Sequence, residues 1–143
     1  LPTYDGSKVK LPDQAGKYVV VYFYPKDMTP GCTIQATEFT ALKKKFEKAN
    51  AIVFGISKDS VETHCKFRDK EKLTVALLSD TDGKVMEKYG AWGEKNMYGK
   101  KTVGVIRSTV LVGPDGKVVK HWKRATSKGH AQKVLDVILA DAG

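Results

Sequence analysis

Apolar residues in the first third of the chain fall into strand-like runs and a helical spacing, and together they predict a β-α-β unit. Residues 18–24 form a run of Val, Tyr and Phe, the composition of a buried strand. Residues 32–48 predict a helix, with apolar residues at helical spacing at Phe39, Leu42, Phe46 and Ala49. A second buried strand covers residues 51–57. Two strands joined so closely through one helix predict a right-handed parallel unit.

The rest of the chain continues the alternation of helices and strands and ends in a hairpin and a helix. The further predicted elements are a hairpin at 3–10, a helix capped by Asp59 or Ser60 and ending near Lys70, a strand at 74–78, a helix opened by Asp80 or Asp82 and ending near Tyr89, a long loop at 90–104, strands at 107–112 and 117–122, and a final helix capped by Ser127. This order predicts a thioredoxin-like α/β fold, a central mixed sheet flanked by helices, as one domain over residues 1–143.

The stretch of residues 24–33 joins the first strand to the first helix and reads Tyr-Pro-Lys-Asp-Met-Thr-Pro-Gly-Cys-Thr. Pro25 ends the strand because proline cannot donate to a sheet, and Pro30 with Gly31 forms the turn. Cys32 therefore falls at the helix start, where the first amides have no partner within the helix. Because these amides and the helix dipole favour an anion, the sequence predicts a reactive thiolate at Cys32.

The sequence contains two cysteines, Cys32 and Cys65, which are too few for the disulfide scaffold of a small secreted protein. Their separation indicates a redox role in a reducing, cytoplasmic location, and two buried structural thiols are the alternative. A thioredoxin would carry a Cys-x-x-Cys motif at this helix start, whereas this chain has Thr29 at the first position. A disulfide across the turn is excluded, which argues against a general thiol-disulfide oxidoreductase.

The net charge of +9 raises the alternative of a basic binding module on the same scaffold. The lysines at 43–45 lie away from the apolar stripe of their helix, so we expect them to face water. No helix-turn-helix, RNP-type or zinc-finger motif accompanies the charge, so the sequence does not predict a nucleic-acid partner. It predicts no membrane partner either, because no apolar run reaches roughly 18 residues and residues 1–10 lack a secretion-signal layout.

Several segments of the chain resemble a known family. Pro25, Thr29 and Cys32 match the Pro-x-x-x-Thr/Ser-x-x-Cys pattern of peroxiredoxins, and residues 22–33 resemble the bacterioferritin-comigratory, PrxQ-type branch. Later segments resemble that branch in the same order, at residues 77–80, 93–100 and 107–109. The resemblance extends over essentially the whole chain and implies both the thioredoxin-like fold and a thiol peroxidase activity.

The resemblance implies reduction of hydrogen peroxide and small organic hydroperoxides without a cofactor or a metal. Cys32 would attack one peroxide oxygen and become a sulfenic acid, while the Gly31 and Cys32 amides and the Thr29 hydroxyl donate to the peroxide. Arg107 matches the family's active-site arginine, whose planar guanidinium can bond thiolate and peroxide together. Pro25 is implied to shield the pocket. The alternatives are a surface charge for Arg107 and a turn residue bonding its own backbone for Thr29.

The resemblance also implies that a second thiol reduces the sulfenic acid. Many family members carry a cysteine five residues after the first, where this chain has Thr37. Cys65 is the remaining candidate, and a subset of the branch is thought to resolve from its helix. The expected reductant is thioredoxin or a similar dithiol protein, and the expected oligomeric state is a monomer. The alternative is a one-cysteine peroxidase reduced by an external thiol.

His64 precedes Cys65, and we expect it to be a helix-surface residue. A metal site shared with Cys32 is not predicted, because no paired metal-ligand spacing supports it. The polar residues 62–64 predict a weak helix start, so local opening around Cys65 is expected to be cheap.

Overall fold

The structure of the protein is a computed structural model that describes residues 16–97, 100–123 and 128–142. The strands are β1 Tyr18–Phe23, β2 Ala51–Ser57, β3 Ala76–Ser79, β4 Trp92–Met97, β5 Lys100–Val105, β6 Ser108–Val112 and β7 Val118–Trp122. The helices are α1 Pro30–Ala41, α2 Lys43–Lys48, α3 Val61–Glu71, α4 Lys84–Lys88 and α5 His130–Ala142. The hairpin predicted at 3–10 and the predicted cap Ser127 lie outside the described residues.

Within the described residues, five strands form one mixed sheet in the order β3-β2-β1-β6-β7. The neighbours β1, β2 and β3 are parallel, as the β-α-β pattern predicts, and β6 and β7 are antiparallel to their neighbours. β1 is the central strand, and all six of its residues are buried. Such a strand reads as a continuous apolar run because both of its faces are covered.

The residues of β1 alternate between two hydrophobic cores on opposite faces of the sheet. Tyr18, Val20 and Tyr22 belong to one core, which also holds buried residues of α1, α2, α3 and α5. Val19, Val21 and Phe23 belong to the other, which is completed by residues of α4 and of the β4–β5 hairpin. The predicted central mixed sheet flanked by helices is confirmed.

Two of the predicted elements are wrong in detail. The helix expected at 32–48 is divided at Leu42, which leaves helical geometry at ψ 4°, and α2 restarts from its carbonyl so that Phe46 enters the same core as Phe39. The loop expected at 90–104 contains a hairpin in which β4 pairs with β5 and Gly93 lies opposite Gly104. The glycines suggested a loop, but cross-strand hydrogen bonds override that local preference.

Candidate active site

Cys32 lies in the first turn of α1, just beyond the carboxyl end of β1. Pro30 occupies the first helical position and keeps the preceding Thr29 extended, at φ −85° and ψ 153°. The first hydrogen bond inside the helix runs 2.9 Å from the Thr33 amide to the Thr29 carbonyl. The amides of Gly31 and Cys32 therefore precede the helical ladder and can serve a polar or anionic group at this position. Cys32 itself is 1% exposed.

Arg107 approaches the Cys32 sulfur from the neighbouring strand of the sheet. Because β6 runs antiparallel to β1, with Ser108 paired to Phe23, the residue before β6 lies at the edge where α1 begins. Arg107 Nη2 donates to Cys32 Sγ at 3.3 Å, and Nη1 donates to Gln35 Oε1 at 2.6 Å. The planar guanidinium, which is always charged, therefore bonds the Cys32 sulfur and the Gln35 amide oxygen at the same time.

Gln35 is a site residue that the sequence reasoning missed. It follows Cys32 by one helical turn, on the same helix face, and is fully buried. Its Oε1 atom accepts from Arg107, but its Nε2 atom has no hydrogen-bond partner among the described residues. Buried donors are rarely left unpaired, so this one is a feature of the site rather than of the packing. The i, i+3 spacing from Cys32 is the signal that would have identified it.

Tyr22 supplies a second buried hydroxyl that has no partner among the described residues. Its ring stacks on Phe39 with 4.7 Å between centroids. The tip of the ring lies over Gly55, where a Cβ would come within 2.6 Å of it, so a glycine is required at that position. Burial first, and the charge of Cys32 second, raise the pKa of Tyr22 well above its ordinary value, so the hydroxyl keeps its proton.

Thr29 and Pro25 are half-buried in the segment between β1 and α1. The Thr29 hydroxyl donates to the Lys26 carbonyl at 2.8 Å, which is the turn-residue geometry considered as the alternative. Its proton is therefore engaged, and the predicted role as a donor to peroxide does not fit this geometry. The oxygen keeps lone pairs that can accept a hydrogen bond.

Cys65 lies in the second turn of α3 and is half-buried. Of the two predicted caps, Ser60 is the one used: its side chain accepts from the Thr63 amide at 3.2 Å. Cys32 and Cys65 are both reduced, with no disulfide between them. Each of them lies within a hydrogen-bonded helix, Cys32 in α1 and Cys65 in α3.

The prediction that His64 is a surface residue is wrong, because His64 is fully buried. Its Nδ1 atom is 2.5 Å from Asp27 Oδ2, and its Nε2 atom is 3.0 Å from the Leu78 carbonyl oxygen. The Tyr24 hydroxyl donates to Asp27 Oδ1 at 2.5 Å. These partners come from β3 and from the segment after β1, so a local polar pattern could not identify them. The prediction of a weak helix start at residues 62–64 does not fit a His64 side chain that is buried and hydrogen-bonded on both ring nitrogens.

The other sequence expectations concern metals, membranes and surface charge. Within the described ranges, no three His, Cys, Asp or Glu side chains lie close enough together to hold a metal ion. No helix in that part of the chain is long and apolar enough to cross a membrane. The lysines at 43–45 are exposed, as predicted.

Comparison with known proteins connects this geometry to a family. Residues 1–121 match the AhpC/TSA family. The putative peroxiredoxin bcp of Helicobacter pylori is 48% identical over 92% of this chain and 87% of that protein. Peroxiredoxin Bcp of Bacillus subtilis is 41% identical over 93% and 85% of the two chains. A structure from work on alkyl peroxide reduction by the bacterioferritin comigratory protein of Xanthomonas campestris has a TM-score of 0.94 at 41% identity, covering 100% of this chain and 91% of that one.

The chain therefore belongs to the AhpC/TSA family and is a peroxiredoxin, a thiol-dependent peroxidase. The thioredoxin-like fold expected from the order of elements is confirmed by the same structural likeness.

Proposed function

We propose that Cys32 is the thiol that reduces the peroxide, and that Arg107 stabilises its anion and the leaving oxygen. The observation that carries this is the 3.3 Å hydrogen bond from Arg107 Nη2 to Cys32 Sγ at the start of α1. The thiolate attacks the terminal oxygen of the hydroperoxide, so an S–O bond forms while the O–O bond breaks. The alkoxide that leaves takes up a proton and departs as alcohol or, from hydrogen peroxide, as water.

The surrounding groups hold the peroxide in line with the sulfur. The Gly31 and Cys32 amides donate to it, because they precede the helical ladder. The Thr29 oxygen accepts from the peroxide hydroxyl, since its own proton is bonded to the Lys26 carbonyl. Pro25, which cannot donate, shields the pocket next to the end of β1. Hydrogen peroxide and small organic hydroperoxides are the proposed substrates.

Cys65 is the proposed resolving cysteine. Its thiol attacks the Cys32 sulfenic acid, an S–S bond forms, the S–O bond breaks, and the oxygen leaves as water. Thioredoxin or a similar dithiol protein then reduces the disulfide by exchange, and its own dithiol is oxidised. The proposed active form is a monomer. A one-cysteine cycle with an external thiol is the alternative that the experiment must exclude.

The test follows peroxide loss with thioredoxin, thioredoxin reductase and NADPH. Cys32→Ser should abolish turnover, and Cys65→Ser should still consume one equivalent of peroxide and then stop. Sustained turnover by Cys65→Ser with thioredoxin would contradict the resolving role, and turnover by Cys32→Ser would contradict the whole assignment. Sedimentation of the reduced and oxidised protein checks the monomer.

A further inference from the structure

A buried polar cluster joins the segment that carries Cys32 to the helix that carries Cys65. It consists of Tyr24, Asp27 and His64, each at most 3% exposed, and we call it the latch. Asp27 lies five positions before Cys32, and His64 immediately precedes Cys65. The peroxidase chemistry described above uses none of these three side chains.

Every polar side-chain atom of Asp27 and His64 has a hydrogen-bond partner. The Leu78 carbonyl can only accept, so His64 Nε2 carries a proton and donates to it across 3.0 Å. One further proton lies in the 2.5 Å contact between His64 Nδ1 and Asp27 Oδ2, whichever atom holds it. The Tyr24 hydroxyl donates to the other oxygen of Asp27 at 2.5 Å. Burial, together with the neighbouring Tyr22 and Asp27, raises the pKa of Tyr24 well above its ordinary value, so it remains a donor.

We propose that the Asp27–His64 contact holds the Cys65 segment of α3 closed in the reduced enzyme and thereby sets how fast the second thiol reaches Cys32. The proposal rests on the proposed function in which Cys65 resolves the sulfenic acid. In that scheme the Cys65 segment opens before its thiol reaches the Cys32 sulfur, which is buried and bonded to Arg107. Opening the start of α3 requires His64 to leave its buried partners, so the latch opposes that step directly.

The Cys32 side of the latch has a second attachment that His64 does not share. The Asp27 amide donates to Asp59 Oδ2 at 2.8 Å, and Ser57 Oγ donates to the same oxygen at 2.8 Å. Breaking the His64 contact therefore leaves the Asp27 segment tied to the end of β2. Movement after that break is expected in α3, around Cys65, rather than around Cys32.

The experiment compares Asp27→Ala, which removes the carboxylate that bonds His64, with His64→Leu, which removes both imidazole hydrogen bonds. Hydrogen exchange of amides 61–67 in the reduced protein measures opening without any oxidation. Quenched-flow mass spectrometry then gives the rates of Cys32 oxidation and of Cys32–Cys65 disulfide formation. The control is Val134→Ala, a core truncation in α5 that lowers global stability away from the latch.

Amide exchange at 61–67 and disulfide formation should both become about 10- to 100-fold faster in the latch variants, the factor expected when a buried polar group loses its hydrogen-bond partner. The rate of Cys32 oxidation should stay at the wild-type value. Val134→Ala should lower the melting temperature without changing the ratio of disulfide formation to oxidation.

The outcomes separate the latch from the resolving role. Wild-type rates of exchange and disulfide formation in folded Asp27→Ala or His64→Leu protein, or equal acceleration by Val134→Ala, would overturn the latch and leave the proposed function intact. Faster exchange in the variants with no Cys32–Cys65 bond in any protein would support the latch and remove Cys65 from the catalytic cycle.

Discussion

Two buried polar clusters include residues of the segment from residue 24 to residue 32. They differ in how many of their polar atoms are hydrogen-bonded. Around Cys32, the Nε2 of Gln35 and the hydroxyl of Tyr22 have no partner among the described residues. In the latch, every polar atom of Asp27 and His64 side chains is bonded. Both clusters are equally hidden from solvent, so burial alone does not account for the difference.

This difference indicates that the cluster around Cys32 serves the reaction, whereas the latch holds two segments of the chain together. A buried polar atom with no protein partner can bond a ligand or a new oxygen atom that arrives beside it. Peroxide and the sulfenic acid both bring oxygen to the Cys32 sulfur, which shares Arg107 with the Gln35 side chain. The latch gains nothing from a ligand, since its bonds are already made. Breaking the latch only raises the free energy of the protein, so the latch is suited to control the rate of a conformational step.

The largest effect is expected from Arg107→Lys, which keeps the charge near Cys32 but loses the planar pair of donors. The second-order rate with peroxide should fall by about 10- to 1000-fold, the range for losing a donor that stabilises developing charge. Stopped-flow measurement of the first turnover provides the rate. Arg68→Lys, on α3, is the matched control and should react at the wild-type rate. An unchanged rate in Arg107→Lys would exclude a role for its planar pair of donors in the reaction.

A buried histidine outside both clusters provides a pH test of stability. Burial first, then the charges of Lys133 and Arg107, lowers the pKa of His130 from 6.5 to about 4. Between these pH values the unfolded chain binds more protons than the native one. The contribution of His130 to the free energy of unfolding is therefore fully present above pH 6.5 and is lost as the pH falls toward 4. The slope from this group is at most about 1.4 kcal/mol per pH unit.

The His130 effect is measured by urea unfolding between pH 4 and pH 7 in wild type and His130→Gln. Glutamine can keep a hydrogen bond to the Thr109 hydroxyl, which lies 2.7 Å from His130 Nε2. The wild-type curve should fall more steeply than that of the variant as the pH decreases. Parallel curves would show that His130 does not titrate differently in the folded and unfolded chain.

Two tyrosines on the same strand end test the difference between paired and unpaired hydroxyls. Tyr24→Phe removes a bonded donor from Asp27 and should lower the free energy of unfolding by about 1.5 to 3 kcal/mol. Tyr22→Phe removes an unpaired hydroxyl, so stability should stay the same or rise by up to about 1 kcal/mol. Urea denaturation of both variants gives the comparison. Equal losses would indicate that Tyr22 has a partner after all.

The smaller of the two effects on the rate with peroxide is expected from Gln35→Leu, which removes the side chain that orients Arg107. The rate with peroxide should fall by about 10-fold, since a misplaced guanidinium still carries its charge. Stability should hardly change, because the substitution also removes a buried unpaired donor. Gln132→Leu, at an exposed position on α5, is the matched control for the substitution. A rate equal to that of the control would exclude a positioning role for Gln35.

Local sequence pattern was enough to predict the central strand, the β-α-β unit, the position of Cys32 at a helix start and an α3 cap at either Asp59 or Ser60. These features depend on residues close together in sequence, namely an apolar run, a Pro-Gly turn and an N-cap side chain. The resemblance to peroxiredoxins added Arg107 and Thr29. The hairpin of β4 and β5 was missed because its glycines resemble a loop until the two strands pair.

Tertiary structure alone decided how the polar side chains are paired. Gln35 bonds Arg107 because β6 runs antiparallel to β1. His64 bonds Asp27 because α3 packs against β3 and the segment that follows β1. The same residues on isolated elements would look like ordinary polar surface positions. Hydrogen bonds between residues distant in sequence depend on the sheet register and helix docking, which no local pattern contains. For that reason His64 was expected in solvent and lies instead at the centre of the latch.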